Sequence, residues 1–203
     1  MKIVVSALFA AAIVSGCAFT TVIPLKATIN NPPSVTQVPV AVGIHYGPEF
    51  RTYEYSRHKL VVPVGEASVT LLDRALPMLF ERIVRVSSTA PLADGGAKLA
   101  AVIEPKIEEV EFDRPPVVVS LADVTAVVGY RFTFYSPQGT PLASWKVRGV
   151  GTPSPGWFVW KTEPFSKAMD LALEDAAKKF VTGFRDVPEV RRWLQEVGVT
   201  EAR

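Results

Sequence analysis

Residues 124–134 read Val124-Thr125-Ala126-Val127-Val128-Gly129-Tyr130-Arg131-Phe132-Thr133-Phe134, and this stretch decides the fold. An apolar side chain recurs at every second position, which is the period of a strand with one buried face. The turn Ser136-Pro137-Gln138-Gly139 follows, with proline second and glycine fourth. Ala143, Trp145 and Val147 then alternate with polar residues in a returning strand. The pattern predicts a β-hairpin.

Strands are also predicted before the hairpin. Alternating apolar residues favour strands over 38–46, 59–64 and 98–112, and weakly over 51–55. Pro105 lies in the longest of these segments, and the apolar residues after it change phase, which indicates a bulge or an edge.

Two long helices are predicted, over 66–86 and 163–184, from apolar residues at helical spacing. Pro77 lies inside the first and predicts a kink between Asp73 and Pro77, or two shorter helices. A third, short helix begins at Asp186 and ends at Gly198. The order of elements predicts an α+β fold, a two-layer sandwich in which the two long helices cover a mainly antiparallel sheet, with a short C-terminal helix beside it.

The first residues have the layout of a secretory signal. Lys2 precedes an apolar run from Ile3 to Ile13, and Val14-Ser15-Gly16-Cys17 follows. The alternatives are an ordinary cleaved signal and an uncleaved anchor. An anchor needs about 20 apolar residues, and this run is shorter. An ordinary signal requires no cysteine at the cleavage site, whereas Cys17 is the only cysteine in the chain.

Val14-Ser15-Gly16-Cys17 resembles the lipobox of bacterial envelope lipoproteins. The resemblance implies cleavage before Cys17, diacylation of its thiol and acylation of the new amine. It also implies a location, because Ala18 rather than aspartate after the cysteine resembles outer-membrane sorting. We therefore expect a signal peptide over 1–16 and a protein held at the outer membrane, facing the periplasm.

The segment after Cys17 shows no sustained period and contains Pro32-Pro33. We expect the lipidated cysteine and a flexible tether over 17–37, a single domain over 38–198 and a tail over 199–203. The alternative for part of the tether is an edge strand within Val22 to Leu25.

Charge and motifs exclude several classes of function. The formal net charge is +2, without a basic run, which argues against a nucleic-acid partner. His45 and His58 are expected to be surface residues near turns, since no zinc or hydrolase motif accompanies them. The acidic run from Glu104 to Asp113 is interpreted as a solvated sheet face rather than a cation site. Gly149-Val150-Gly151 lacks the context of a phosphate loop. The sequence predicts no catalytic residues, no metal and no cofactor.

Trp157, Phe158 and Trp160 are the candidate contact residues. Their flanks, Pro155-Gly156 and Pro164, have loop chemistry, and exposed aromatic residues are costly. One alternative is that they cover the sheet as part of the core. The others are insertion into the membrane interface or an anchor for a partner protein.

The lipobox followed by a β-α-β-β-β-α order resembles several envelope lipoproteins. Among them are the lipopolysaccharide-assembly lipoprotein that plugs the outer-membrane translocon and the auxiliary lipoproteins of ABC-type lipid transport. The resemblance implies a non-catalytic accessory subunit that binds a protein partner in envelope assembly or transport and presents an open sheet face or edge. The alternative is a carrier lipoprotein that holds an apolar ligand in a deep cavity near Trp145, Trp157 and Trp160.

Overall fold

The computed structural model describes residues 20–57, 59–89, 98–113, 124–154 and 162–198. Eight strands and four α-helices lie in these ranges: β1 Thr21–Val22, β2 Val38–Ile44, α1 Pro48–Arg51, β3 Tyr55–Arg57, β4 Leu60–Val62, α2 Val64–Leu79, β5 Phe80–Arg85, β6 Ala101–Asp113, β7 Thr125–Tyr135, β8 Pro141–Gly151, α3 Glu163–Gly183 and α4 Pro188–Glu196. None of the helices within the described residues is both long enough and apolar enough to span a membrane.

The expected α+β sandwich is confirmed. Five strands form the main sheet in the order β5-β2-β6-β7-β8, and α2 and α3 cover one of its faces. The β6-β7-β8 half is antiparallel, as expected, but β2 pairs in parallel with both β5 and β6, so the sheet is mixed. β5 runs parallel to β2 because the chain crosses over through α2 before it returns beside β2, and parallel strands require such a long connection.

The predicted hairpin is β7-β8. Phe132 pairs with Trp145 and Tyr130 with Val147, so the alternating apolar residues of both strands face the helices. Gly139 has φ of 83° in the connecting turn, a conformation that glycine adopts without steric cost. The hairpin therefore follows from local sequence alone.

A bulge lies in β6, between Ile107 and Glu109. It falls two residues beyond Pro105, which pairs with Phe132 within the regular ladder. The extra residue restores the apolar phase, so that Phe112 faces the core as the sequence pattern requires.

The long helix predicted over 66–86 is wrong in its last part. α2 ends at Leu79, and Phe80 has the extended φ of −126° and ψ of 143°. Residues Phe80–Arg85 form β5 instead, paired with β2. Ile83 and Val84 are β-branched and favour a strand. Pro77 lies inside α2, which continues as one helix to Leu79, so the expected division into two shorter helices is not found.

A second sheet, of three short strands in the order β1-β4-β3, lies beside the first turn of α2. The weak strand predicted over 51–55 is displaced: residues 48–51 form α1, and β3 begins only at Tyr55. Pro48 occupies the first position of α1, where its missing N–H costs nothing.

The core lies between the main sheet and the two long helices. Phe132, Phe180 and Phe184 are buried, and the Phe132 and Phe180 ring centroids are 4.3 Å apart. α3 matches its predicted range to within one residue. α4 contributes Val190, Trp193 and Leu194, and Gly198, where this helix was expected to end, has φ of 79°.

Candidate functional site: the N-terminal strap and the proximal end

Residues 21–37, which we call the N-terminal strap, lie against both long helices. Ile23 is fully buried and Ala27 is 2% exposed. The expected flexible tether over 17–37 is therefore wrong from residue 21 onward. The alternative of a strand within Val22 to Leu25 is partly correct, because Thr21–Val22 forms β1 beside β4.

The strap runs parallel to α3. Its polar contacts with this helix progress in the same order along both segments: Ser166 Oγ donates to the Pro24 carbonyl (2.6 Å), the Lys26 N–H donates to Asp170 Oδ1 (2.8 Å) and the Asn30 N–H donates to Glu174 Oε1 (2.8 Å). The Asn30 side chain donates a second bond to Glu174, of 2.9 Å. Backbone groups of Pro24, Lys26 and Asn30 are thus satisfied by side chains of α3.

α2 holds the other side of the strap. Arg74 donates to the Ala27 carbonyl at 2.6 Å, and the Gln37 side chain donates to the Pro77 carbonyl at 2.5 Å. Ala27 has φ of 46°, in the left-handed region that costs an alanine about 1 kcal/mol. Three contacts of Ala27 offset this cost: its methyl group is buried, its N–H donates to Asp170 and its carbonyl accepts from Arg74.

Two carboxylates of α3 have displaced pKa values. Burial would raise the pKa of Glu174, but bonds from Lys178 and Asn30 outweigh it and hold the pKa below its ordinary value of 4.5. Burial raises the pKa of Asp170, against the backbone N–H groups of Lys26 and Ala27 that lower it. The stabilisation from Glu174 is therefore complete above pH 4.5 and is lost as the pH falls through its lowered pKa. Protonation of Asp170 at acid pH partly offsets this loss.

Replacing Glu174 by alanine is expected to lower the free energy of unfolding by about 2 kcal/mol, because it removes the acceptor of two Asn30 bonds and the ion pair with Lys178. Urea unfolding measures the change. Limited proteolysis is expected to cut the strap faster in Glu174→Ala than in the parent protein.

The matched control is Thr182→Ala on the same helix. Thr182 is exposed, and its hydroxyl donates to the Lys178 carbonyl one turn earlier. We expect a change within about 0.5 kcal/mol for this variant. Equal stability and equal strap cleavage for both variants would contradict the assigned role of Glu174.

The strap begins at one end of the domain, which we call the proximal end. This end consists of β1, the turn with Lys59 that joins β3 to β4, and the first turns of α2 and α3. The Thr21 N–H donates to the Lys59 carbonyl at 2.8 Å, so the described chain starts beside this turn. The β7-β8 turn, with Gln138, lies at the opposite, distal end, about 36 Å away along the 11 residues of β7.

The sheet face that the helices leave open is polar and ion-paired. Glu108 accepts from Arg131 at 2.5 Å and lies 2.9 Å from Lys146, while Glu109 lies 3.2 Å from Arg148. Hydrogen bonds from Lys146 and Arg131 hold the pKa of Glu108 below its ordinary value. The acidic run therefore lies opposite cations of β7 and β8, as the interpretation of a solvated sheet face requires.

His45 lies on the same open face. Its Nδ1 is 3.2 Å from the Val86 carbonyl and its Nε2 is 4.0 Å from Glu104. The side chain is 18% exposed, less than expected for a surface histidine. His58 lies outside the described residues. Over the described ranges no three histidine, cysteine or acidic side chains gather as metal ligands would.

Trp145 is half-buried, because one side of its ring packs against the core while the residue also lines a cleft. Its ring stacks on Phe132 (5.7 Å) and lies nearly parallel to Phe180 (6.2 Å, 8°). The cleft beside it has a volume of about 340 Å³, is open to solvent and is lined partly by Lys146 and Lys179. These contacts do not favour the apolar-carrier alternative at Trp145. The other predicted residues, Trp157, Phe158 and Trp160, lie outside the described residues, as do Val14, Ser15, Gly16 and Cys17.

No family model and no curated protein matches the chain. Among solved structures, a Xanthomonas campestris protein described with the family model DUF330 has a TM-score of 0.53 at 12% identity, over 87% of this chain and 99% of that one. A Neisseria meningitidis lipoprotein has a TM-score of 0.32 at 8% identity, over 55% of this chain and 83% of that one. An Acinetobacter baumannii minor lipoprotein has a TM-score of 0.37 at 10% identity, over 77% of this chain and 96% of that one. The first likeness shows a shared fold.

Proposed function

We propose that the protein is an outer-membrane lipoprotein, anchored through Cys17 and facing the periplasm, that acts as a non-catalytic accessory subunit in envelope assembly or transport. One observation supports the anchor above all. The lipobox Val14-Ser15-Gly16-Cys17 ends four residues before Thr21, the first residue of β1. This short separation in sequence supports a domain that lies close to the proposed anchor.

The anchor is strong enough for stable attachment. Each buried methylene contributes about 0.8 kcal/mol, and two or more acyl chains are required for a lasting bilayer anchor. The three acyl chains that the lipobox implies at Cys17 meet this requirement. Ala18, in place of aspartate, supports the outer membrane as the destination.

The accessory role is supported by how the described residues are arranged. An interaction module needs an accessible surface, and the open sheet face of β6, β7 and β8 provides one with fixed charges at Glu108, Arg131 and Lys146. The aromatic core behind it is filled by ring contacts such as Phe132 with Phe180. A surface built from paired charges suits a partner with complementary charge.

Trp157, Phe158 and Trp160 are proposed as a second contact, with the membrane interface or with the partner. The elements on either side of this segment are β8, which ends at Gly151, and α3, which begins at Glu163. Both of these ends lie at the proximal end. This position supports a contact close to the anchor.

Affinity purification from detergent-solubilised membranes tests the accessory role. We expect one stoichiometric membrane-associated protein to co-purify with the full chain. The control is residues 1–20 fused to an unrelated soluble domain, which keeps the anchor and removes the fold. Recovery of co-purified lipid alone would favour the carrier alternative, and recovery of the same protein with the control would contradict a partner surface on the domain.

A further inference from the structure

The distance between the proposed anchor and the fold is short. Residues 18–20 separate Cys17 from Thr21, and four Cα–Cα steps extend over at most about 14 Å. The polar layer of a bilayer leaflet is about 5 to 8 Å thick. A domain docked from Thr21 onward therefore cannot move far from the surface that holds the lipid.

The turn between β3 and β4 lies beside β1, the first described strand. Thr21 pairs with Leu60 and its N–H bonds Lys59, so the start of the fold and this turn are side by side. Arg57 and Lys59 flank the turn and are both exposed. Two exposed carboxylates also belong to this region, Glu54 at the base of the hairpin and Glu66 in the first turn of α2.

An exposed apolar side chain lies elsewhere on this three-stranded sheet, because Val22 pairs with Val61, one residue further from the turn than the Thr21–Leu60 pair. Val22 in β1 is 61% exposed, although its neighbour Ile23 is fully buried. The two cations at the turn, rather than this valine, have the charge that a contact with the phosphates of an anionic membrane surface requires.

We propose that the proximal end rests on the bilayer that holds the Cys17 lipid, with Arg57 and Lys59 on the phosphates of anionic phospholipids. This inference depends on the proposed lipid anchor and adds an orientation to it. The sheet then rises from the membrane, and the β7-β8 turn points into the periplasm.

A single-cysteine experiment tests the orientation, because Cys17 is the only native cysteine and its thiol is blocked once acylated. The lipidated full chain carries Ser56→Cys at the proximal end or Gln138→Cys at the distal end, both at exposed positions. Each is labelled with an environment-sensitive fluorophore and reconstituted into phosphatidylcholine–phosphatidylglycerol vesicles that contain a headgroup-attached spin quencher. We expect strong quenching at position 56 and none above background at position 138.

A charge reversal tests the role of the cations. The double variant Arg57→Glu and Lys59→Glu is made in the Ser56→Cys protein and is expected to reduce quenching at position 56. Each basic residue near an anionic membrane increases the ratio of surface-bound to unbound proximal ends by about fivefold, and the two substitutions remove this attraction. Arg191→Glu with Arg192→Glu on α4 makes the same change in net charge at exposed positions far from the turn and is expected to leave quenching unchanged.

The outcomes separate the two proposals. Vesicle flotation reports the anchor, and quenching reports the orientation. Protein that floats with the vesicles but is quenched equally at positions 56 and 138 would overturn the orientation and leave the anchor standing. Protein that fails to float would overturn the anchor itself. Unchanged quenching in vesicles of phosphatidylcholine alone would overturn the assignment of anionic phosphates.

Discussion

Replacing Cys17 by alanine is expected to move the protein from the membrane pellet to the soluble envelope fraction almost completely. The substitution removes the thiol that the lipobox presents for acylation, and with it every acyl chain. Loss of even one 14-carbon chain would remove roughly 10 kcal/mol of burial at about 0.8 kcal/mol per methylene. Fractionation followed by immunoblotting measures the change.

Ala18→Asp is the matched control. It leaves Cys17 in place, so the protein should stay in the pellet, while the resemblance to envelope lipoproteins implies retention at the inner membrane. Density-gradient separation of the two membranes distinguishes these results. A Cys17→Ala protein that stays in the pellet would contradict the lipid anchor, as would native protein whose mass shows a free thiol and an intact leader.

The β7-β8 hairpin and α3 could be predicted from sequence because the information that specifies them is local. Alternation from Val124 to Phe134 gives a strand, Gly139 permits the turn, and the apolar stripe of α3 repeats at helical spacing. Each pattern agrees with the final packing, so local preference and tertiary contact point to the same structure.

The strap could not be predicted because its structure depends on distant residues. Pro32 and Pro33 and the lack of any period are typical of a linker. Its order comes from Asp170 and Glu174, more than 140 positions away, whose carboxylates accept its N–H groups. A signal did exist, since these two carboxylates lie one helical turn apart beside the apolar stripe of α3.

β5 was missed for a related reason. Leu79, Phe80 and Ile83 continue the helical spacing of α2, so periodicity alone extends the helix too far. The backbone edge of β2 decides the outcome, because pairing with β2 satisfies those N–H and C=O groups of residues 80–85 that face it.

Replacing Gly151 by alanine is expected to lower the free energy of unfolding by about 3 kcal/mol, the upper range for an overpacked core. A Cβ on Gly151 would lie 2.1 Å from the Ala168 carbonyl oxygen and 2.3 Å from the Ala172 nitrogen, both backbone atoms of α3. Gly149 makes an equally close approach, 2.0 Å from the Ala172 oxygen. Neither neighbour is a side chain that can rotate away, so the helix itself must move.

Moving α3 has consequences beyond the clash. Asp175 accepts the Val150 N–H at 2.9 Å, and Lys179 donates to the Arg148 carbonyl at 3.1 Å, so the helix also covers the outer edge of β8. The opposite side of α3 holds the strap through Glu174. Displacement of the helix therefore exposes a strand edge and loosens the strap together, and we expect faster proteolysis of the strap as well as a lower melting temperature.

Gly183→Ala is the matched control for Gly151→Ala. It adds the same methyl group to a glycine near α3 but at a position without a close backbone neighbour. Gly183 ends α3 with φ of −88°, and a Cβ there would meet nothing within 4 Å. Alanine restricts the unfolded chain more than glycine does, so this variant is expected to be neutral or more stable by up to about 1 kcal/mol. Thermal unfolding should place Gly151→Ala roughly 6 to 12 °C below the parent protein. Equal melting temperatures for the two variants would mean that α3 does not approach β8 as closely as these glycines require.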